Sequence, residues 1–471
     1  MTSIDELPDD VLIGIFNLRI CDGVPSFGEE GEKAWQTLVH VCRRWRCIVF
    51  GSPRHLNLRL ICTTSTPARD MLDVWPAFPI IILSYDGSLT GSVDNIIAAL
   101  ECTDRVCQIT FMNVRNLDLD IFGTMQQSFP ELTYLQLWSS DKTAAVVPDS
   151  FLGGSAPRLE FLALGSIPFP GLPKLLLSAT HLVRLHLYGI PHSGYISPDG
   201  MVAALSTLTS LGSLWLRFES PRSCPDQASR RPFPKTRSVL PVLTYFEFKG
   251  VTEYLDDLVA CIDAPQLNGL SVVFSNDVIF DTPQLVRFIS HTPIPKTLKN
   301  VYITLKNGAA SVRFSSQTPL GRELDVGILC RGLDWQVSFL EQVFTSCLPP
   351  LNMLEDLYFH DSEYSRSPPE SDWKDSIENR QWPELFRSFI AVKNLYLSKE
   401  FASSIAPALQ ELVEGSTTDV LPALQNIFLK GLDSSGSFQE SIGQLVAARQ
   451  VANRPIGIFP WTESEEGRGL G

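Results

Sequence analysis

Along most of the chain one pattern recurs: apolar, any two residues, apolar, any one residue, apolar. It stands at Leu132-Leu135-Leu137, Leu159-Leu162-Leu164, Leu182-Leu185-Leu187, Leu211-Leu214-Leu216, Leu243-Phe246-Phe248 and Leu267-Leu270-Val272, and again at Leu298-Val301-Ile303, Leu354-Leu357-Phe359, Val392-Leu395-Leu397 and Leu424-Ile427-Leu429. A weaker copy, Val106-Ile109-Phe111, precedes them, and Gly321 to Arg331 holds a drifted one. Successive starts from Leu132 to Leu298 lie 27, 23, 29, 32, 24 and 31 residues apart. The alternating second half of each copy predicts a short strand. Apolar residues at helical spacing predict helices between them, over Val93 to Leu100, Met201 to Leu208, Thr252 to Cys261, Leu285 to Ser290, Phe339 to Ser346 and Ile405 to Val413. Proline introduces many of the strands, as in FPELTYL, APRLEFL and LPALQNI, where it ends the preceding helix and sets an extended path. A strand-turn-helix unit cannot bury its own apolar edge, so neighbouring units must stack. The predicted fold is α/β: a curved solenoid with parallel strands on its concave face and helices on its convex face. A doubly wound nucleotide-binding fold would need a Gly-rich phosphate loop after an early strand, and the sequence has none.

Side chains alternate along a strand, so residues between the buried repeat positions share the open face. That stripe contains Tyr134, Trp138, Phe161, Arg184, His186, Tyr188, Trp215, Arg217, Tyr245, Tyr302, Tyr358, His360, Tyr396 and Phe428. Tyr, Trp and Arg supply most of the energy at protein interfaces, which makes the stripe the candidate surface for a protein partner. Aromatic residues are also good strand formers and could simply shield one another on an open sheet. The C-terminal IFPWTESEEGRGLG offers a third account, in which Phe459 and Trp461 pack on the last repeat and the acidic end stays loose.

The first sixty residues follow another rule. Pro8 suits the first turn of a helix, Asp9 and Asp10 favour its positive end, and Val11, Leu12, Ile15 and Phe16 form an apolar stripe. After a loop from Asp22 to Gly31, apolar residues recur at Trp35, Leu38, Val39, Cys42, Trp45 and Val49, which predicts a second amphipathic helix with Arg43, Arg44 and Arg46 solvated. Each large apolar side chain left bare forgoes roughly 1.5 to 3 kcal/mol, so these short helices need a cover. They could cap the repeats that follow, as terminal elements of repeat proteins do.

LPDDVLIGIF followed by WQTLVHVCRRWRCIVFGSPRHLNLRL resembles the F-box, a helical module that docks on a Skp-type adaptor and through it on a cullin scaffold. The resemblance covers roughly residues 4 to 60. It implies that Leu7, Pro8, Val11, Leu12, Ile15, Phe16, Val41, Cys42 and Trp45 form the adaptor contact or the small core behind it. The loop from Asn17 to Lys33 is longer than the family's usual connection. The remaining chain resembles the irregular leucine-rich repeats that follow an F-box in fungal proteins. The Asn or Cys usual at the ninth repeat position is replaced by Ser140, Ile167, Ile190, Glu219, Val251 and Ser275, so the ladder of asparagines that position normally builds is not expected.

Composition narrows the partners. The formal net charge of -14 argues against sequence-independent binding to nucleic acid or to an anionic membrane. The longest apolar run, Ala77 to Leu83, is too short to span a bilayer, and MTSIDELPDD has neither a basic start nor a signal-peptide core. Ten cysteines without a Cys-x-x-Cys pair, several in apolar helical patterns, fit a reduced cytoplasmic or nuclear compartment. No Walker loop, nucleophile elbow, His-Glu-x-x-His or Cys-His metal spacing occurs, and His181 and His186 fall on opposite faces of a strand. Arg230, Arg231, Lys235 and Arg237 cluster in a loop read as solvated. The expectation is therefore a non-enzymatic subunit without metal or cofactor. Residues 1–60 would bind the adaptor of a Skp-cullin-F-box ubiquitin ligase, 61–460 would form the repeat domain that receives a target protein, and 461–471 a flexible acidic tail. The alternatives are a repeat scaffold without a ligase, and an enzyme whose convergent site one sequence does not reveal.

Overall fold

The computed structural model describes residues 4, 7–21, 34–53, 55–65, 67–84, 93–112, 119–140, 146–221, 237–275, 282–294, 298–306, 308–316, 323–330, 333–346, 354–360, 385–398, 420–430, 437–451 and 453–461. The expected helix at Ile405 to Val413, the basic residues Arg230, Arg231 and Lys235, and the tail from 462 lie outside them. The chain divides into two compact units, Met1–Leu182 and Val183–Gly471, so the expected boundary near residue 60 falls inside the first unit.

The first unit begins with three helices, α1 (Asp9–Cys21), α2 (Ala34–Val39) and α3 (Arg43–Gly51). Five parallel strands follow in sequential order: β1 (Leu60–Cys62), β2 (Ile80–Ser84), β3 (Val106–Phe111), β4 (Tyr134–Trp138) and β5 (Phe161–Gly165). The repeat pattern does not reveal β1 or β2. The apolar run Ala77 to Leu83 is largely β2, whose Ile80 and Ile82 are fully buried. The single helix expected across Trp35 to Val49 is broken at His40 to Cys42, because Cys42 is extended and caps α3, its sulfur accepting the Trp45 amide at 3.4 Å. Arg44 is not simply solvated. It donates to Asp9 Oδ1 at 2.7 Å and to the Leu7 carbonyl at 2.5 Å, tying the start of α1 to α3.

The second unit has a main sheet in the order β6-β7-β9-β11-β14-β13-β12-β15-β16-β17-β18. Its strands are β6 (Arg184–Ile190), β7 (Ser213–Phe218), β9 (Tyr245–Gly250), β11 (Gly269–Phe274), β12 (Asn300–Lys306), β13 (Ala309–Ser315), β14 (Glu323–Ile328), β15 (Asp356–His360), β16 (Asn394–Ser398), β17 (Asn426–Lys430) and β18 (Gly457–Pro460). A separate parallel pair joins β8 (Ser238–Val239) to β10 (Ile262–Asp263), beside which Arg237 pairs with Asp263 at 2.9 Å. The drifted repeat copy is β14. The expectation of parallel strands throughout fails at β13, which is antiparallel to both neighbours. Gly308, at φ 96°, turns the chain back between β12 and β13, a conformation that side-chain-bearing residues rarely adopt. The resulting meander places β14, and not β12, against β11.

One local device precedes five of the strands, β4, β5, β9, β11 and β17. A buried apolar carbonyl accepts the amide three residues on: Phe129 from Leu132, Ala156 from Leu159, Leu240 from Leu243, Ala264 from Leu267 and Leu421 from Leu424. The second residue of each of these turns is Pro130, Pro157, Pro241, Pro265 or Pro422, where a ring that fixes φ near -65° favours the turn. Proline here forms the turn into the strand and does not merely stop a helix. The leucine after the turn is buried in every case, as are the two later apolar positions of the repeat.

The helices at the start of the first unit are seated through aromatic side chains. Trp35 is buried, donates its indole N–H to the Arg59 carbonyl at 3.2 Å, and meets Trp75 and Phe78 edge-on at 5.2 and 5.5 Å. Trp35→Ala should therefore destabilise the first unit by about 3 to 5 kcal/mol, the cost of removing a large buried aromatic. A urea midpoint that stays within experimental error of the unmodified chain would show that this contact does not hold the helices.

Candidate functional site

The expected N-terminal site residues separate into two sets. Leu12 and Phe16 are buried in the three-helix core, with the Phe16 ring 4.7 Å from half-buried Trp45. Val11, Ile15 and Leu18 lie on the other side of α1 and are 42%, 41% and 67% exposed. Val41, in the break between α2 and α3, is 58% exposed. Pro8 is exposed, while Leu7 and Cys42 are half-buried. Thus α1 has apolar residues on two sides, because 12 and 16 form one i, i+4 row and 11, 15 and 18 form another. One row closes the helical core; the other faces outward.

In the first unit, Tyr134 and Phe161 stack with ring centres 4.2 Å apart and planes 11° from parallel. Phe161 is buried, in contrast to the open position expected of it. Trp138 lies across Gly165, its register partner, where a Cβ would collide with the indole.

In the second unit, strand register aligns several of the remaining expected residues. Tyr302, Tyr358, Tyr396, Phe428 and Phe459 are directly paired across β12, β15, β16, β17 and β18. The first four stack at 4.5, 4.1 and 4.5 Å with interplanar angles of 12°, 12° and 9°, and Phe428 meets Phe459 at 5.4 Å. Ring faces are therefore spent on one another, and the stack offers its rims to a partner. Mutual shielding is the geometry of this part of the stripe. Burial and the neighbouring tyrosines push the Tyr358 hydroxyl well above the usual phenol range.

Beneath the rings runs a polar row that the repeat pattern does not reveal. Asn300, Asp356, Asn394 and Asn426 occupy one register line. Asn394 Nδ2 donates to Asp356 Oδ1 at 2.6 Å, and Asn426 Nδ2 donates to Asn394 Oδ1 at 2.8 Å. The signal was present as NVYIT, DLYFH, NLYLS and NIFLK, an amide or carboxylate two residues before each ring.

Towards β6 the same face becomes charged. His186 stacks on Trp215 at 4.5 Å, and the Arg217 guanidinium sits 5.1 Å from the Trp215 ring and 5.2 Å from the Tyr188 ring. Arg217 also pairs with the nearly buried Glu247, which accepts from the Tyr245 hydroxyl at 3.5 Å. Tyr245 lies over Gly269, whose absent Cβ would sit 2.6 Å from its ring. Burial, then Glu247, pushes the Tyr245 phenol up to about 12. On the meander, Arg313 opposes Asp325 at 3.6 Å, while burial raises the Asp325 carboxyl above its ordinary value. Arg184 is exposed at the start of β6, and the side chain of His360 lies outside the described residues. No group of three or more His, Cys, Asp or Glu among the described residues could hold a metal ion. The face can stack and form ion pairs and hydrogen bonds with another surface.

No family model matches the sequence, and no curated protein matches it. Among solved structures, the leucine-rich repeat-containing protein LegL7 from Legionella pneumophila aligns with 12% identity over 82% of this chain and 97% of its own, with a TM-score of 0.30.

Burial, with Arg184 and Arg217 nearby, holds the His186 imidazole down to about 4. Its unfolded value is about 6.5, so unfolding takes up a proton between those values. Its stabilising share is complete above about 6.5 and lost as pH falls towards 4. His186→Phe, which keeps the stack without the titration, should flatten the fall in thermal midpoint over that window; an unchanged slope would exclude His186 as the source. In the polar row, Asn394→Ala removes the donor to Asp356 and the acceptor for Asn426. It should cost about 1 to 3 kcal/mol, measurable by urea denaturation, and a neutral effect would mean that the row carries no net stability.

Proposed function

We propose that this chain is the substrate-receiving subunit of a Skp-cullin-F-box type ubiquitin ligase. The observation that carries the reading is the outward row Val11, Ile15 and Leu18 on α1, with Val41 exposed on the neighbouring segment. An apolar helix face that its own fold leaves uncovered marks a surface for another protein. It falls within the F-box-like motif, and Leu12 and Phe16 behind it give the helix a rigid support. A Skp-type adaptor, and through it a cullin scaffold, is the partner this face would take. The repeat units, with ring-bearing and charged strands, would receive an as yet unidentified target protein. The chain itself performs no bond chemistry in this reading. It accelerates ubiquitin transfer by proximity, which makes the reaction between bound target and conjugating enzyme effectively intramolecular. It would work in the cytoplasm or nucleus, without nucleic acid or membrane as partner.

A second reading, a leucine-rich-repeat scaffold without a ligase, is favoured by the packing of Trp35 and Phe50 on Trp75 and Phe78. Those contacts make α2 and α3 part of the first unit, as a cap would be.

Val11→Asp with Ile15→Asp separates the two readings, since both positions are exposed and the fold tolerates charge there. The intact chain should co-purify with a Skp-type adaptor, and the double variant should lose at least about 100-fold in affinity, roughly the 2.7 kcal/mol expected for burying charge in an apolar contact, with its circular dichroism unchanged. Failure of the intact, folded chain to bind would leave the scaffold reading.

A further inference from the structure

The row of rings in the second unit ends on β18, and Trp461 closes over it. Trp461 is 7% exposed, with its ring centre 5.6 Å from Tyr396 and 6.0 Å from Tyr358, and Lys430 Nζ lies 5.7 Å from the indole. The strand that delivers this indole is loosely covered. Ile458 and Phe459, which point to opposite faces, are each 45% exposed, and residues 453–455 before it are exposed. Among the described residues, β18 is hydrogen-bonded within the sheet along one edge, to β17, through Gly457 N–H to Gln425 O at 2.8 Å and Trp461 N–H to Leu429 O at 2.8 Å.

The segment also shows what its seat selects. Gly457 leaves room beside the Asn426 amide and the Phe459 ring, since a Cβ there would lie 3.3 Å from Asn426 Oδ1 and 2.6 Å from the ring, so a larger residue would have to displace them. Phe459 extends the stack from Phe428, and Trp461 reaches back across the rims of two tyrosines. Main-chain pairing with alternate side-chain seats is how a sheet edge recognises an extended peptide.

We propose that the β17 edge together with Tyr358 and Tyr396 is a docking site for an extended protein segment bearing aromatic side chains two residues apart, and that Gly457–Trp461 fills it in cis until a partner segment displaces it. The inference rests on reading this face as the partner surface, and it adds the chemistry of the partner: a glycine, then an aromatic residue, then a second large aromatic. A tethered occupant competes at an effective concentration in the millimolar range. A free peptide should therefore bind the intact chain poorly and a vacated seat well.

The probe is a fluorescein-labelled peptide of sequence IGIFPW, titrated by anisotropy against the full-length chain and full-length Phe459→Ala/Trp461→Ala. The double variant, with unchanged circular dichroism, should bind at least about tenfold more tightly than the unmodified chain. Adding Tyr358→Ala and Tyr396→Ala should abolish that gain. A folded double variant that binds no better overturns the proposal. Should the double variant not fold, hydrogen exchange on the unmodified chain decides: the amides of Phe459 and Trp461 should exchange at least about tenfold faster than those of Ile427 and Leu429, and equal protection overturns it. Adaptor capture on the same preparations keeps the two ideas apart. Capture without peptide uptake sinks only this inference, whereas uptake without capture sinks only the ligase reading.

Discussion

The structure depends on one backbone hydrogen bond repeated at the same height in successive repeats. In the first unit the residue just before a strand donates to its counterpart in the preceding repeat, Thr133 to Cys107 and Glu160 to Thr133. In the second unit the same bond runs from Thr244 to Gly212 and from Asn268 to Thr244, and later from Glu355 to Lys299, Lys393 to Glu355 and Gln425 to Lys393. These bonds fix register before any side chain is considered. A slip of one residue would turn every buried leucine outward, so the apolar core and the pinned register enforce each other. Loop lengths can then vary freely, which is why repeat starts 23 to 32 residues apart still produce aligned strands.

Fixed register turns sequence repetition into rows. Asn or Asp at the first strand position makes the polar row, which Gly457 ends, and Tyr or Phe two residues later makes the ring stack. Where β13 runs backwards, the row changes character. Its antiparallel pairing sets Arg313 directly opposite Asp325, so the charges that interrupt the rings neutralise each other within the sheet. The buried carboxylate of Glu247 and the half-buried one of Asp325 are held on a largely apolar sheet by Arg217 and Arg313. Removing either arginine would leave a charge with little water around it, an outcome costlier than never having placed the pair.

The buried leucines, the strand positions from Leu132 onward and the helices at Val93, Thr252 and Leu285 were legible because each follows a period that backbone geometry imposes. β1 and β2 were not legible as repeats, since Leu60–Cys62 and Ile80–Ser84 are continuous apolar runs that lack the leading leucine spacing. The meander was missed for a related reason. The Asn-Gly pair at 307 and 308 is a hairpin signal, but the repeat pattern carries a helix between successive strands and has no place for a hairpin. The site was half legible. Periodicity identified the rings, but nothing in a single strand says that neighbouring rings will stack face to face or that Trp461 will lie over them. Those outcomes depend on residues on separate strands being in register, as Tyr358 and Tyr396 are.

Open sheet edges are a hazard, because unpaired amides invite further strands. In the second unit the hazard is met at β18 by composition. Gly457 and Trp461 point their amides at β17, so by alternation the amides of residues 458 and 460 point away from it. Residue 460 is Pro460, which has no amide hydrogen to offer. The outward edge of the four-residue strand is thereby reduced to the single donor of Ile458. Proline at that position protects the edge without disturbing the inward ladder, whereas at 459 or 461 it would have removed a bond to β17. The same segment that completes the ring stack is thus also the last strand of the sheet among the described residues, held by its pairing to β17, by the Phe459 ring on Phe428 and by the Trp461 indole.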